Sequence, residues 1–174
     1  MKNLVLSLFL VLTLGWSMQA QISTPAPSPL GKMEQMVGLT EVHLEYSRPS
    51  AKGRTIFGDL VPYGKLWRTG ANSATKVTFS ENVVIEGQGL EAGSYALFTI
   101  PGEDEWTIIF NKDTDQGGTG NYDEEKDALR VTVKPQSLSQ FVETFTIGIN
   151  DITSSSASMN LRWEETQVII PFTV

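Results

Sequence analysis

"SYALFTIPGEDEWTIIFN", residues 94–111, decides the fold. Two short apolar runs flank the turn residues Pro101, Gly102, Glu103 and Asp104, and each run is apolar at successive positions, as strands covered on both faces require. Outward from this pair the chain reads with period two. In "TEVHLEYSR" Val42, Leu44 and Tyr46 alternate with His43 and Glu45, and in "TKVTFS" Val77 and Phe79 alternate with Lys76 and Thr78. "ALRVTVKP", "VETFTIGIN", "ASMNLRWE" and "TQVIIPFTV" continue the series, with turn stretches such as "GQGLEAG" and "NDITSSS" between strands. Short strands at regular spacing, without an amphipathic helix or an internal repeat, predict an all-β fold: an antiparallel β-sandwich, jelly-roll-like or immunoglobulin-like.

Residues 1–20 carry Lys2, the apolar run Leu4 to Leu14 and the small-residue end of "GWSMQA", the order of a secretory signal peptide cut after Ala20. The run is far shorter than the roughly 20 apolar residues of a spanning helix. The expectation is a periplasmic or secreted protein with no membrane insertion after cleavage. Residues 21–39 open with "QISTPAPSPLGK", a composition suited to an extended leader. Residues 40–174 then form a single β-sandwich domain.

Without the first 20 residues the chain holds 12 Lys and Arg against 20 Asp and Glu, a net charge of −8. Such a balance disfavours nucleic acid and anionic lipid as partners. The absence of cysteine excludes disulfides, thiolate metal sites, a Cys nucleophile and a lipidated cysteine. A single histidine, His43, excludes histidine-rich metal sites, and it is expected on the face opposite Val42 and Leu44, away from any relay with a buried acid. No cofactor is implied.

Two stretches break the alternation. The acidic, Gly-rich segment 113–124, "DTDQGGTGNYDE", places Asp113, Asp115, Gly118 and Glu124 at calcium-loop positions, but Gly117 stands where an oxygen ligand belongs and a strand precedes it; it reads as a hairpin loop with no metal. The other, Ser47 to Ala74, is a 28-residue connection, a length that in a compact domain is usually functional or disordered. It carries Arg48, Lys52, Arg54, Lys65 and Arg68 against the single acid Asp59, so a segment at +4 sits in a chain whose remainder carries −12. Such segregation focuses positive potential on one patch.

Guanidinium groups grip carboxylate, sulfate or phosphate, and Tyr and Trp offer flat faces to a ring. The expected ligand-binding residues are therefore Arg54, Tyr63, Lys65, Trp67, Arg68 and Asn72, for a small anionic or carbohydrate-like ligand. Against this stands a purely structural reading, in which Phe57 and Trp67 plug the sandwich and the Arg side chains bond backbone carbonyls. A glycan-acting hydrolase or lyase would draw on Asp59 or Glu143. A structural or envelope-assembly protein would use the loop as a surface for a protein partner. Counting by strand parity puts Arg48 on the face of Tyr46 and Glu143 on the face of Phe145, and inward charges are costly unless paired. The expectation is a structural ion pair of Arg48 or Arg130 with Glu143.

The runs "EYSRPSAKGRTIFGDLVPYGKLWRTGAN", "EAGSYALFTIPGEDEWTIIFN" and "NYDEEKDALRVTV" resemble a bacterial family of exported proteins designated domain-of-unknown-function family 2911, over about Ser28 to Pro171. The resemblance marks Arg48, Arg54, Trp67, Arg68, Trp106, Asn111, Tyr122, Asp127 and Arg130 among the signature residues. It also implies an aromatic residue followed by Gly before "NYD", where this chain has "QGGTG", so no ring-gripping role carries over to that loop. It supports export and the importance of the long loop, and implies no mechanism.

Overall fold

The computed structural model describes residues 24–174, so the expected signal peptide lies outside the described residues. Ten strands are present: β1 (Leu30–Val37), β2 (Thr40–Ser47), β3 (Ala71–Phe79), β4 (Val83–Ile85), β5 (Gln88–Leu90), β6 (Gly93–Ile100), β7 (Trp106–Asn111), β8 (Asp127–Val133), β9 (Pro135–Asn150) and β10 (Ser156–Thr173). They form a six-stranded sheet in the order β1-β2-β3-β6-β7-β8 and a four-stranded sheet in the order β5-β4-β10-β9. Every pairing between these strands is antiparallel. The chain runs along the larger sheet as a meander, leaves it after β3 for β4 and β5, and returns at β6. The protein is a β-sandwich.

The period-two reading decides which side chains fill it. Val42, Leu44 and Tyr46 of β2, Ile108 and Phe110 of β7, and Phe145, Ile147 and Ile149 of β9 are all buried in one core. The central strands β6 and β7 are covered on both faces: Ala96, Phe98 and Ile109 form a second cluster on the outer side with Ala74, under Leu66, Ile100 and Tyr122. That cover comes from the two stretches that break the alternation. His43 faces Glu34 across the β1–β2 ladder, its Nδ1 3.5 Å from the carboxylate and its side chain 38% exposed.

One boundary is corrected. Residues 21–39 were expected to be a leader, yet Leu30–Val37 is strand β1, paired with β2 from Leu30↔Ser47 to Val37↔Thr40. As an edge strand it leaves most of its side chains half-exposed, so its sequence carries little of the alternation that marks a strand against a core.

The far end of the chain is bent. Val174 N–H donates to Ser155 O at 3.0 Å, which a straight 18-residue strand forbids, so β10 turns back on itself. The turn falls at Glu164, where φ is +54° and the β9–β10 register shifts on either side. Glu164 Oε1 accepts the Ile56 N–H at 3.3 Å and so ties this bulge to the long loop.

Candidate functional site

The connection between β2 and β3 closes one end of the sandwich. It is pinned by backbone contacts to both sheets: Ala51 N–H donates to Glu143 O (2.8 Å) and Phe145 N–H to Pro49 O (2.9 Å) on β9, while Trp67 and Thr99 exchange N–H···O bonds of 2.8 and 2.9 Å on β6. Its apolar residues point down. Ile56, Phe57, Val61 and Trp67 are buried, and the Trp67 indole stacks on Trp163 (5.9 Å between ring centroids) and meets Phe145 edge-on at 5.1 Å. Trp67 Nε1 donates to Gly70 O at 3.1 Å, so its polar end is satisfied inside the protein. For Trp67 the structural role is established, and what it offers a ligand is only the floor of a cleft.

That cleft has a volume of about 310 Å³ and is lined by Arg54, Arg68, Leu60, Val61, Trp67 and Trp163, with Pro49 and Ser28 at its edge. Three of the six expected binding residues meet here: Arg54, Trp67 and Arg68. The other three do not. Asn72, at φ +58°, donates from Nδ2 to Ser47 Oγ (3.1 Å) and Ser28 O (3.4 Å), holding the chain ahead of β1 against β3. Tyr63 lies on the other flank of the loop, and Lys65 is exposed without lining this cleft. Trp163 is a lining residue that pattern reading did not single out; it looks in sequence like any inward residue of a strand.

The electrostatics are uneven. None of Arg48, Lys52, Arg54, Lys65 and Arg68 has a carboxylate within 4.0 Å; the ion pairs of the described residues involve Lys32, His43, Lys126 and Arg130 instead. Arg54 donates from Nε to Ala51 O (2.9 Å) and from a terminal nitrogen to Ser50 O (2.8 Å), which fixes the side chain and leaves its charge uncompensated and donors to spare. Arg68 Nε is shielded from solvent and has no hydrogen-bond acceptor. A buried donor without a partner is costly, and Arg162 Nε shares this state.

The expected ion pair with Glu143 is overturned. Arg48 lies across Gly31, where an added Cβ would sit 2.9 Å from Arg48 Cδ, and reaches Phe145 O (3.3 Å) and Thr146 Oγ1 (3.1 Å) rather than an acid. Glu143 is exposed, and its carboxylate accepts the Lys52 N–H at 2.9 Å. The inward placement by parity fails because the β9–β10 register shifts between Thr146 and Val142 and the loop backbone packs beyond Phe145. Arg130 points to the outer face of the larger sheet, into a separate network.

In that network Asp127, 8% exposed, accepts from Arg130 Nε (2.6 Å), the Tyr122 hydroxyl (2.6 Å) and Asn111 Nδ2 (2.7 Å). Arg130 also donates to the Tyr122 oxygen (2.8 Å) and pairs with Glu124 at 3.2 Å. Asn111 Oδ1 accepts from Asp113 N and Gln116 Nε2, so the acidic loop is sewn to the end of β7. Asp113 itself pairs with Lys126 at 2.8 Å, and that hydrogen bond holds its carboxyl below the usual range. The carboxylates at the calcium-loop positions 113 and 124 are thus turned to Lys126 and Arg130.

Burial, and then the hydrogen bond to Asp127, push the Tyr122 hydroxyl up to about 12. A pKa raised on folding contributes stability that is complete below the free tyrosine value of about 10 and is lost as pH rises toward 12. Urea unfolding between pH 9 and 12 is expected to show this loss in the wild type and a flatter profile in Tyr122→Phe.

With this geometry in view, the comparison with known families is decisive. A family model described as "Protein of unknown function (DUF2911)" matches residues 28–172. The chain belongs to the DUF2911 family. No curated protein and no solved structure matches it. For this DUF2911 chain the match runs from Ser28, at the edge of the cleft, to Phe172 near the end of β10, so it spans the loop, the aromatic plug and the Asp127 network together.

Proposed function

We propose that this DUF2911 protein is an exported binding module for a small anionic ligand, held at the Arg54–Arg68 cleft with its apolar part against Leu60, Val61 and Trp67. The observation that carries the reading is a cleft lined by Arg54 and Arg68, neither of which has a carboxylate within 4.0 Å among the described residues. A carboxylate, sulfate or phosphate group would pair with the two guanidinium groups, and charge-assisted bonds of this kind are the strong ones. The lining favours the anionic half of the sequence expectation over the carbohydrate half. Apart from Ser28 and the two arginines its side chains are apolar, too few groups to recognise a ring of hydroxyls. Neither Asp59 nor Glu143 lines the cleft, which disfavours the glycan-hydrolase reading. Export rests on the N-terminal sequence.

The test is a thermal-shift panel of inorganic phosphate, sulfate, benzoate and glucuronate on the mature protein. At least one anion is expected to raise the melting temperature, with the effect weakened on the order of 10- to 100-fold in Arg68→Ala and reduced by added salt. A panel without effect, or a shift that survives Arg68→Ala unchanged, would overturn the reading. Recovery of a protein partner alongside a silent panel would favour the loop as a partner surface.

A further inference from the structure

A second cleft opens on the other flank of the same loop, and we propose that it binds a neutral hydroxylated ring, a single saccharide unit or a comparable polyol. Its volume is about 200 Å³, below the roughly 300–1,000 Å³ of drug-sized sites, which suits one ring rather than a chain. Tyr63 comes from the loop, Glu103 from the β6–β7 turn, Trp106 from the start of β7, and Gln136, Ser137 and Thr166 from the β9–β10 ladder, where Ser137 and Thr166 are direct partners. Both sheets and the loop therefore meet at it.

The walls are held in place. Gly64 N–H donates to Pro101 O at 2.8 Å and locks the loop to the turn. The Tyr63 ring sits over Gly58, where φ is +91° and a Cβ would fall 3.0 Å from the ring carbon, so only glycine lets the ring settle there. Phe57, at 4.9 Å from Trp106, backs the inner side. Tyr63 nevertheless keeps 40% of its surface exposed.

The chemistry differs from that of the arginine cleft. Among the described residues no Lys or Arg lines it and none lines both clefts; the contact of Phe57 with Trp67, 6.0 Å between centroids, stands between them. The exposed Tyr63 ring beside a carboxylate, an amide and hydroxyls matches the alternating CH faces and hydroxyl groups of a sugar ring, with the buried Trp106 beneath as the floor. Among the described residues no hydrogen bond engages the Tyr63, Glu103, Gln136, Ser137 or Thr166 side chains, so their donors and acceptors are available. One carboxylate lines the cleft, where glycoside cleavage uses a pair, so the site binds rather than hydrolyses. This inference does not depend on anion binding at Arg68.

The test is titration with methyl glycosides of glucose, galactose and N-acetylglucosamine, followed through the tryptophan indole N–H signals by NMR. At least one is expected to move the Trp106 signal saturably at millimolar concentration while leaving Trp67 in place. Tyr63→Ala is expected to weaken it about tenfold, and Ser137→Gln, at an exposed position that fills the cleft, to abolish it. Melting temperatures close to wild type would show that both variants fold. No saturable shift, a shift at Trp67 alone, or a Trp106 response that survives both substitutions would overturn the proposal.

Discussion

Trp67→Ala is expected to lower the unfolding free energy by about 3–5 kcal/mol, the range for removing a buried Trp or Phe. The residue is 7% exposed and touches Phe57, Trp106, Phe145 and Trp163 at centroid distances of 5.1–6.4 Å, so its removal empties the middle of the plug that joins the loop to both sheets. The loop cannot collapse into the gap, because Trp67 N–H and C=O are both tied to Thr99 and the chain on either side is fixed by β9 and β3. Urea unfolding with an unchanged slope would report this as stability alone. A loss below about 1 kcal/mol would mean that the ring is not packed as described and faces solvent in the free protein.

Asp127→Ala is the second large effect, about 3 kcal/mol. Three donors converge on this nearly buried carboxylate, and its loss leaves the Tyr122 hydroxyl without an acceptor, frees Arg130 Nε and leaves Asn111 Nδ2 only its bond to Asp123 O at 2.8 Å. Arg130 retains Glu124 at 3.2 Å, and its own 36% exposure moderates the penalty, which places the figure at the lower end for a broken buried pair. The consequence should be local first. Tyr122 covers Phe98 at 5.1 Å, so faster amide exchange is expected along β7 and in the 112–126 segment before global unfolding. Equal protection in both proteins would contradict the network's role as the clasp of the outer cover.

The sequence was informative wherever a side chain's fate depends on strand parity alone. Val42, Leu44 and Tyr46 go inward because alternate residues of a strand share a face, and the two runs within residues 94–111 are apolar at successive positions because loops roof the outer face of β6 and β7. Parity does not show where a core ends. Glu143 is exposed just past Phe145, beside a shift in the β9–β10 register, and its carboxylate meets the loop backbone at Lys52, so the ion pair drawn from counting does not form. Nor does it show an edge strand such as β1, whose contacts are mainly backbone.

In the long loop, composition revealed the concentration of cations but not their sorting. Arg54 is anchored by carbonyls of residues 50 and 51, contacts that exist only once the loop has turned, and Tyr63 and Arg68 are carried to opposite flanks although five positions apart. Trp163 joins the cleft because β9 and β10 bring it under Trp67, a pairing between residues far apart in the chain. Such long-range sorting has no signature in a local pattern.

The most direct test of the account follows the Arg68 Nε–H signal by NMR while the anion that raises the melting temperature is titrated in. In the free protein this proton has no acceptor in the described structure. Binding is expected to move its resonance downfield saturably, with the same midpoint as the thermal shift, and to leave the remote Arg130 Nε–H signal, already bonded to Asp127, unchanged. An Arg68 signal that stays fixed while the anion binds would contradict the claim that this guanidinium, at the Trp67 cleft, holds the ligand.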